Sequence, residues 1–124
     1  NKLKAAFVMS CCGSVQSAKL RFATPAPASR RQSLTPNSTV QTETIQTYRE
    51  NFEICSLVGT LSQDGAHLHT TLGRANGSTL SGHVVGDLKV QTTAEIVLGE
   101  CITEVFSRKF DELTGYDELI VTKR

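Results

Sequence analysis

Apolar residues in this chain recur at every second position, in short runs broken by turn formers, and no stretch keeps a helical period over ten or more residues. That single pattern restricts the chain to sheet architectures. Ala18, Leu20 and Phe22 fall on one face of a run whose other face carries Lys19 and Arg21, as in a half-buried strand. The same reading places strands at residues 4–10, 17–23, 42–49, 52–61, 66–73, 78–85, 92–98, 103–110 and 118–122. Cys11-Cys12-Gly13 reads as a turn, and Gly115 as another. In residues 52–58, Phe52, Ile54, Ser56 and Val58 alternate with Glu53, Cys55 and Leu57. Strands joined by short turns pair antiparallel. The expectation is one domain, 1–124, built on a mainly antiparallel sheet.

Residues 24–42 break the pattern. They hold all three prolines and the Arg30-Arg31 pair but few large apolar residues, the composition of a flexible surface loop. Arg30-Arg31-Gln32-Ser33 resembles a basophilic kinase target, although composition favours a plain solvated loop.

Hydrophobic residues form 39% of the chain, which places it among globular proteins. Thirteen basic residues against 12 acidic ones give a formal charge of +1. Non-specific nucleic-acid binding needs a clustered positive face, and this balance supplies none. No apolar run reaches the roughly 20 residues of a membrane span, and no cleavable leader is visible. The chain opens at Asn1, as a processed product or a piece of a longer polypeptide would. Its four cysteines, Cys11, Cys12, Cys55 and Cys101, form no C-x-x-C pair. They read as reduced, mostly buried thiols of an intracellular protein, cytoplasmic or nuclear.

The chemistry concentrates in the only three histidines. His67 and His69 lie two apart, so a strand points both to one face. The position of His83 depends on the turn between the strands. With a two-residue loop, Asn76-Gly77, Thr70 would face His83 and the third imidazole would point away. With a three-residue loop, Ala75-Asn76-Gly77, and Gly77 left-handed, Arg74 pairs with Ser78 and His69 lies opposite His83. The second register puts glycine where φ > 0 is needed and keeps Leu68, Leu72, Leu80 and Val84 on one face. Gly82 spares the neighbouring strand a side chain beside His83. Directly opposed residues have Cβ atoms roughly 4.5–5.5 Å apart. Three imidazoles at that spacing can meet one cation, at about 2.0–2.1 Å for zinc, and leave a fourth position open. Spacing alone leaves this and three unliganded histidines both open.

Glu95 and Glu53 lie on strands, each opposite an apolar stripe, and a carboxylate near the histidines would serve as base or fourth ligand. Arg21 and Arg74 are candidate anion ligands. No Gly-rich phosphate loop, serine-nucleophile motif or RNA-binding aromatic motif occurs, and no catalytic residue is assigned.

Taken in order, several segments resemble the PPC ("plants and prokaryotes conserved") domain. They are Ala5-Ala6-Phe7-Val8-Met9-Ser10-Cys11-Cys12-Gly13-Ser14, Ala18-Lys19-Leu20-Arg21-Phe22-Ala23 and Phe52-Glu53-Ile54-Cys55-Ser56-Leu57-Val58-Gly59-Thr60-Leu61. Ala66-His67-Leu68-His69, Gly82-His83-Val84-Val85-Gly86, Thr93-Ala94-Glu95-Ile96-Val97-Leu98-Gly99-Glu100 and Thr114-Gly115-Tyr116-Asp117-Glu118-Leu119 complete the series. The resemblance implies an α+β fold, a mainly antiparallel sheet with one helix, assembled as a homotrimer. It also implies that His67, His69 and His83 hold a divalent metal, zinc by ligand type. The chain departs from the pattern by lacking the Arg-Gly-Arg-Pro hook that carries DNA binding in plant members. Ser81 stands where a second glycine is usual, the loop at 24–42 is long, and the family's first strand and helix would precede Lys4.

Three functions follow: a homotrimeric metal-binding module of unassigned biochemical role, a metal-dependent hydrolase or lyase, and a DNA-associated regulatory protein. Charge and the missing hook count against the last.

Overall fold

The computed structural model describes residues 3–23 and 44–124, and the loop expected at 24–42, with its Arg30-Arg31-Gln32-Ser33 motif, lies outside them. The alternating sequence folds into seven strands: β1 (Ala6–Phe22), β2 (Thr44–Tyr48), β3 (Phe52–Ser62), β4 (Gly65–Gly73), β5 (Thr79–Glu100), β6 (Glu104–Asp111) and β7 (Tyr116–Lys123). Every ladder is antiparallel. One sheet runs β2-β1-β3-β4-β5, and a further β1–β5 ladder joins its two sides, so the sheet curls back on itself. β6 and β7 form a separate hairpin. No helix occurs among the described residues, so the sheet of the expected α+β fold is present there without its helix. The period-two pattern supplies no helical face for those residues to bury. None of them forms a helix long and apolar enough to cross a membrane.

Two expected boundaries are corrected. Cys11-Cys12-Gly13 is not a turn, because β1 runs straight through it. Gly13 (φ 139°) instead lets β5 approach, since a Cβ there would lie 2.1 Å from the Thr93 carbonyl oxygen. Residues 78–85 and 92–98 are likewise two parts of one strand, β5, which bends at Asp87 (φ 55°). The two long strands pair with each other from Ala6↔Glu100 to Arg21↔His83 through several register shifts. A continuous ladder satisfies backbone groups that a turn would leave to solvent, and bulges absorb the misfit.

Val15, Ala18, Leu20, Phe52, Ile54, Leu57, Leu72 and Leu80 form the core, with Leu68 and Val84 packed against it. Leu20 and Leu72 are fully buried, each contributing about 1.5–3 kcal/mol. The expected face of β3 holds only for Phe52 and Ile54. A register shift between Ile54 and Ser56 inserts one residue, turning Leu57 inward and leaving Val58 exposed. The same irregularity puts Cys55 outside. All four cysteines are free, but none is buried, which corrects the sequence expectation: Cys12 and Cys55 are exposed and the other two half-buried.

The β6–β7 hairpin docks on one end of the sheet. The Cys101 and Phe106 N–H groups donate to the carbonyls of Ala5 and Lys4, each at 2.9 Å. The Arg108 N–H donates to Asp64 Oδ2 in the β3–β4 turn at 3.0 Å. These bonds set the hairpin beside the histidine-bearing end of β4.

Candidate metal centre

The β4–β5 connection is the three-residue turn that the glycine position demands. The Arg74 N–H donates to the Ser78 carbonyl at 2.8 Å, and the Gly77 N–H to the Arg74 carbonyl at 2.9 Å. Gly77 has φ 81°, the left-handed conformation that a Cβ disfavours. Asn76 Oδ1 accepts from both the Ser78 N–H and its hydroxyl, at 2.9 and 2.7 Å. This turn brings His69 opposite His83, with Leu72 opposite Leu80 on the core face.

Two close backbone approaches hold the frame. A Cβ on Gly59 of β3 would fall 1.9 Å from the His67 carbonyl oxygen. A Cβ on Gly82 would fall 2.9 Å from the Arg21 carbonyl oxygen and 3.3 Å from Leu20 Cβ. Glycine at these positions therefore sets how closely β3 and β1 lie against the histidine strands.

The three rings form a compact triangle. Ring centroids are 5.2 Å apart for His67–His69, 4.9 Å for His67–His83 and 5.3 Å for His69–His83. His67 Nε2 lies 3.1 Å from His69 Nε2. One nitrogen from each ring falls within 4.8 Å of the others. A tetrahedral ion with bonds of about 2.0–2.1 Å sets its ligand atoms roughly 3.3 Å apart. The His67–His69 spacing already matches that value. With all three donor nitrogens within 4.8 Å of one another, the set could hold a metal ion. Burial holds the His67 pKa below the ordinary imidazole value, and the charges of His69, Arg108 and Arg21 act the same way against the opposing pull of Glu118. Its neutral, ligating form is favoured accordingly.

A cavity of about 260 Å³ adjoins the triangle, lined by His67, His83, Arg21, Arg108, Tyr116 and Glu118 among others. The Arg21 guanidinium lies over the Tyr116 ring, 4.6 Å from its centroid. Arg108 Nη2 donates to Thr60 Oγ1 at 2.7 Å, and Nη1 reaches the Asp117 carbonyl at 3.4 Å. Its Nε is buried and finds no hydrogen-bond partner among the described residues.

Of the other sequence candidates, only Arg21 reaches this site. Glu95 pairs across from Cys12, and Glu53 across from Ser14 and Gly73, and neither lines the cavity. Arg74 pairs instead with Glu50 at 3.2 Å and covers Tyr48 and Phe52. The sequence reading missed Arg108, Tyr116 and Glu118. One signal was available: Arg108 stands two residues from Phe106, on the face that Phe106 buries.

For this antiparallel curled sheet with its histidine triangle, sequence comparison gives the family. Residues 1–102 match the Plants and Prokaryotes Conserved (PCC) domain, and the chain belongs to that family. It is 39% identical over 121 residues to the bifunctional protein GlmU of Synechococcus sp. (strain JA-3-3Ab), covering 98% of this chain and 17% of GlmU. The chain thus spans less than a fifth of the curated relatives it matches. The structure of a hypothetical protein from Salmonella enterica is similar, with TM-score 0.81 and 34% identity over 100% of this chain and 78% of that one. A metal-containing protein from Archaeoglobus fulgidus shares the fold, with TM-score 0.63 and 24% identity over 95% of this chain and 75% of that one.

Proposed function

We propose that this chain is a zinc-type metal-binding module of the PCC family that works as a homotrimer, with His67, His69 and His83 as ligands. The observation carrying this reading is the His69↔His83 pair, set by the Ala75-Asn76-Gly77 turn, with His67 on the same face. The metal-containing relative from Archaeoglobus fulgidus supports it. Assembly is supported by an apolar segment of β5: the successive residues Ile96, Val97 and Leu98 are 51%, 53% and 44% exposed. Successive strand residues face opposite ways, so among the described residues this segment is left exposed on both sides.

Elemental analysis of untagged protein tests the metal, with about one zinc per chain expected and loss of it in His69→Ala. Metal-free protein, or full zinc retention in the variant, would refute the assignment. Light scattering tests assembly, and a monomer at all concentrations would exclude the trimer.

A second reading, a metal-dependent hydrolase or lyase, is favoured by one further observation. Glu118 lines the cavity beside His67, where a carboxylate can move protons. A three-histidine zinc would supply an activated water at its open position. A third reading, DNA association, has the support of two solved structures of this fold, from Bacteroides thetaiotaomicron and Ralstonia eutropha, described as putative DNA-binding proteins; the balance of 13 basic against 12 acidic residues weighs against it.

A further inference from the structure

We propose that the cavity beside the histidine triangle binds the oxyanion group, carboxylate or phosphate, of a small molecule on Arg108 and Arg21. This rests on the metal-site reading for its biological meaning, because the rest of such a molecule would face the open metal position. The anion site itself stands on groups that the metal does not touch.

Arg108 is the starting point. Arg108 is half-buried on β6, and its guanidinium meets Thr60 of β3. Among the described residues it makes no ion pair, only the bonds to the Thr60 hydroxyl and the Asp117 carbonyl. Its Nε is withdrawn from solvent without a partner. Taking a guanidinium out of water costs several kcal/mol unless an anion compensates it. The nearest carboxylate on the β3–β4 turn, Asp64, accepts from the Arg108 backbone N–H. An oxyanion in the cavity would supply the counter-charge that the guanidinium lacks, met by the Nη N–H groups that Thr60 and Asp117 do not use.

The remaining wall fits the same guest. Arg21 adds a second positive charge, lying over the Tyr116 ring. His67 and His83 close the side toward the metal. Asp64, Asp117 and Glu118 also line the cavity, three carboxylates against the two guanidiniums, so the field is mixed. That mixture suits one small anion with a neutral or protonated remainder, and disfavours a polyanion. At about 260 Å³ the space lies just below the roughly 300–1,000 Å³ of ordinary ligand sites. Arg108, Tyr116 and Glu118 come from the β6–β7 hairpin, which follows residue 102, the last position matched to the family profile. The hairpin thus adds a specificity wall to the histidine frame.

The test is calorimetric titration of the full chain with inorganic phosphate and, separately, with malonate. Each titration is run on EDTA-treated and on zinc-loaded protein. Saturable binding of either anion is expected in both forms, weakened at least tenfold in Arg108→Gln and less in Arg108→Lys. Lys109→Ala, whose side chain lies away from this cavity, should bind as the parent does. Thermal melts establish that the variants are folded. Phosphate binding alone identifies a phosphoryl guest, and malonate binding alone a carboxylate guest; both outcomes support the site. Binding of neither anion, or unchanged affinity in folded Arg108→Gln, overturns it while leaving zinc stoichiometry untouched. Anion binding without zinc uptake overturns the metal reading and keeps the anion site.

Discussion

Replacing Gly82 by alanine tests the link between strand packing and the metal site most directly. The new Cβ would stand 2.9 Å from the Arg21 carbonyl oxygen and 3.3 Å from Leu20 Cβ. Carbon–oxygen contacts between strands ordinarily lie at roughly 3.3–3.6 Å, so β5 must move from β1 by about half an ångström. Neither contact can yield easily. One is a backbone atom of a paired strand, and the other belongs to fully buried Leu20. Overpacking of this kind costs about 1–3 kcal/mol. For a chain of this length that lowers Tm by about 4–12 °C. The displacement falls next to His83, which is paired with Arg21 across the same ladder. Metal ligands tolerate deviations of only about 0.2 Å, so zinc affinity should fall by about 10–100-fold. Gly86→Ala is the control, because a Cβ there meets nothing within 4 Å. The assays are thermal unfolding by far-ultraviolet circular dichroism without metal, and zinc titration against a competing chelator. If Gly82→Ala matches Gly86→Ala in both, close approach at Gly82 does not position His83, and the reasoning fails.

Gly77→Val should destabilise the metal-free protein by about 1–2 kcal/mol through backbone conformation alone, since a Cβ there meets no neighbour; equilibrium urea unfolding measures it. Leu72→Ala removes a fully buried side chain and should cost about 2–5 kcal/mol by the same method. Ile96→Lys puts a charge on the exposed β5 segment, and light scattering should show dissociation to monomer with the monomeric fold retained.

Much of the site was legible in the sequence because its decisive geometry is local. His69 and His83 are joined by one tight turn, and glycine at position 77 selects the loop length that sets their register. Period two then dictates that His67 shares their face and that Leu72 and Leu80 take the other. The apolar stripe of Ala18, Leu20 and Phe22 was readable for the same reason: alternation needs no knowledge of distant partners.

What the sequence left undecided depends on contacts between residues far apart in the chain. Whether Gly13 made a turn or a bulge depended on β5 lying alongside it, some 80 positions later. The shift beside Cys55, which turned Leu57 inward, arose from pairing with β4 and leaves no local signature. Glu95 and Glu53 looked equivalent to any other strand carboxylate until the sheet curled and set them away from the histidines. Glu118 took that place because the β6–β7 hairpin hydrogen-bonds to Lys4 and Asp64. Alone, then, the sequence determined the alternating strands and the histidine register, since both follow from backbone periodicity and one turn. Only the tertiary structure decided which charged groups surround those histidines, because hairpin docking is a long-range packing event that no local pattern encodes.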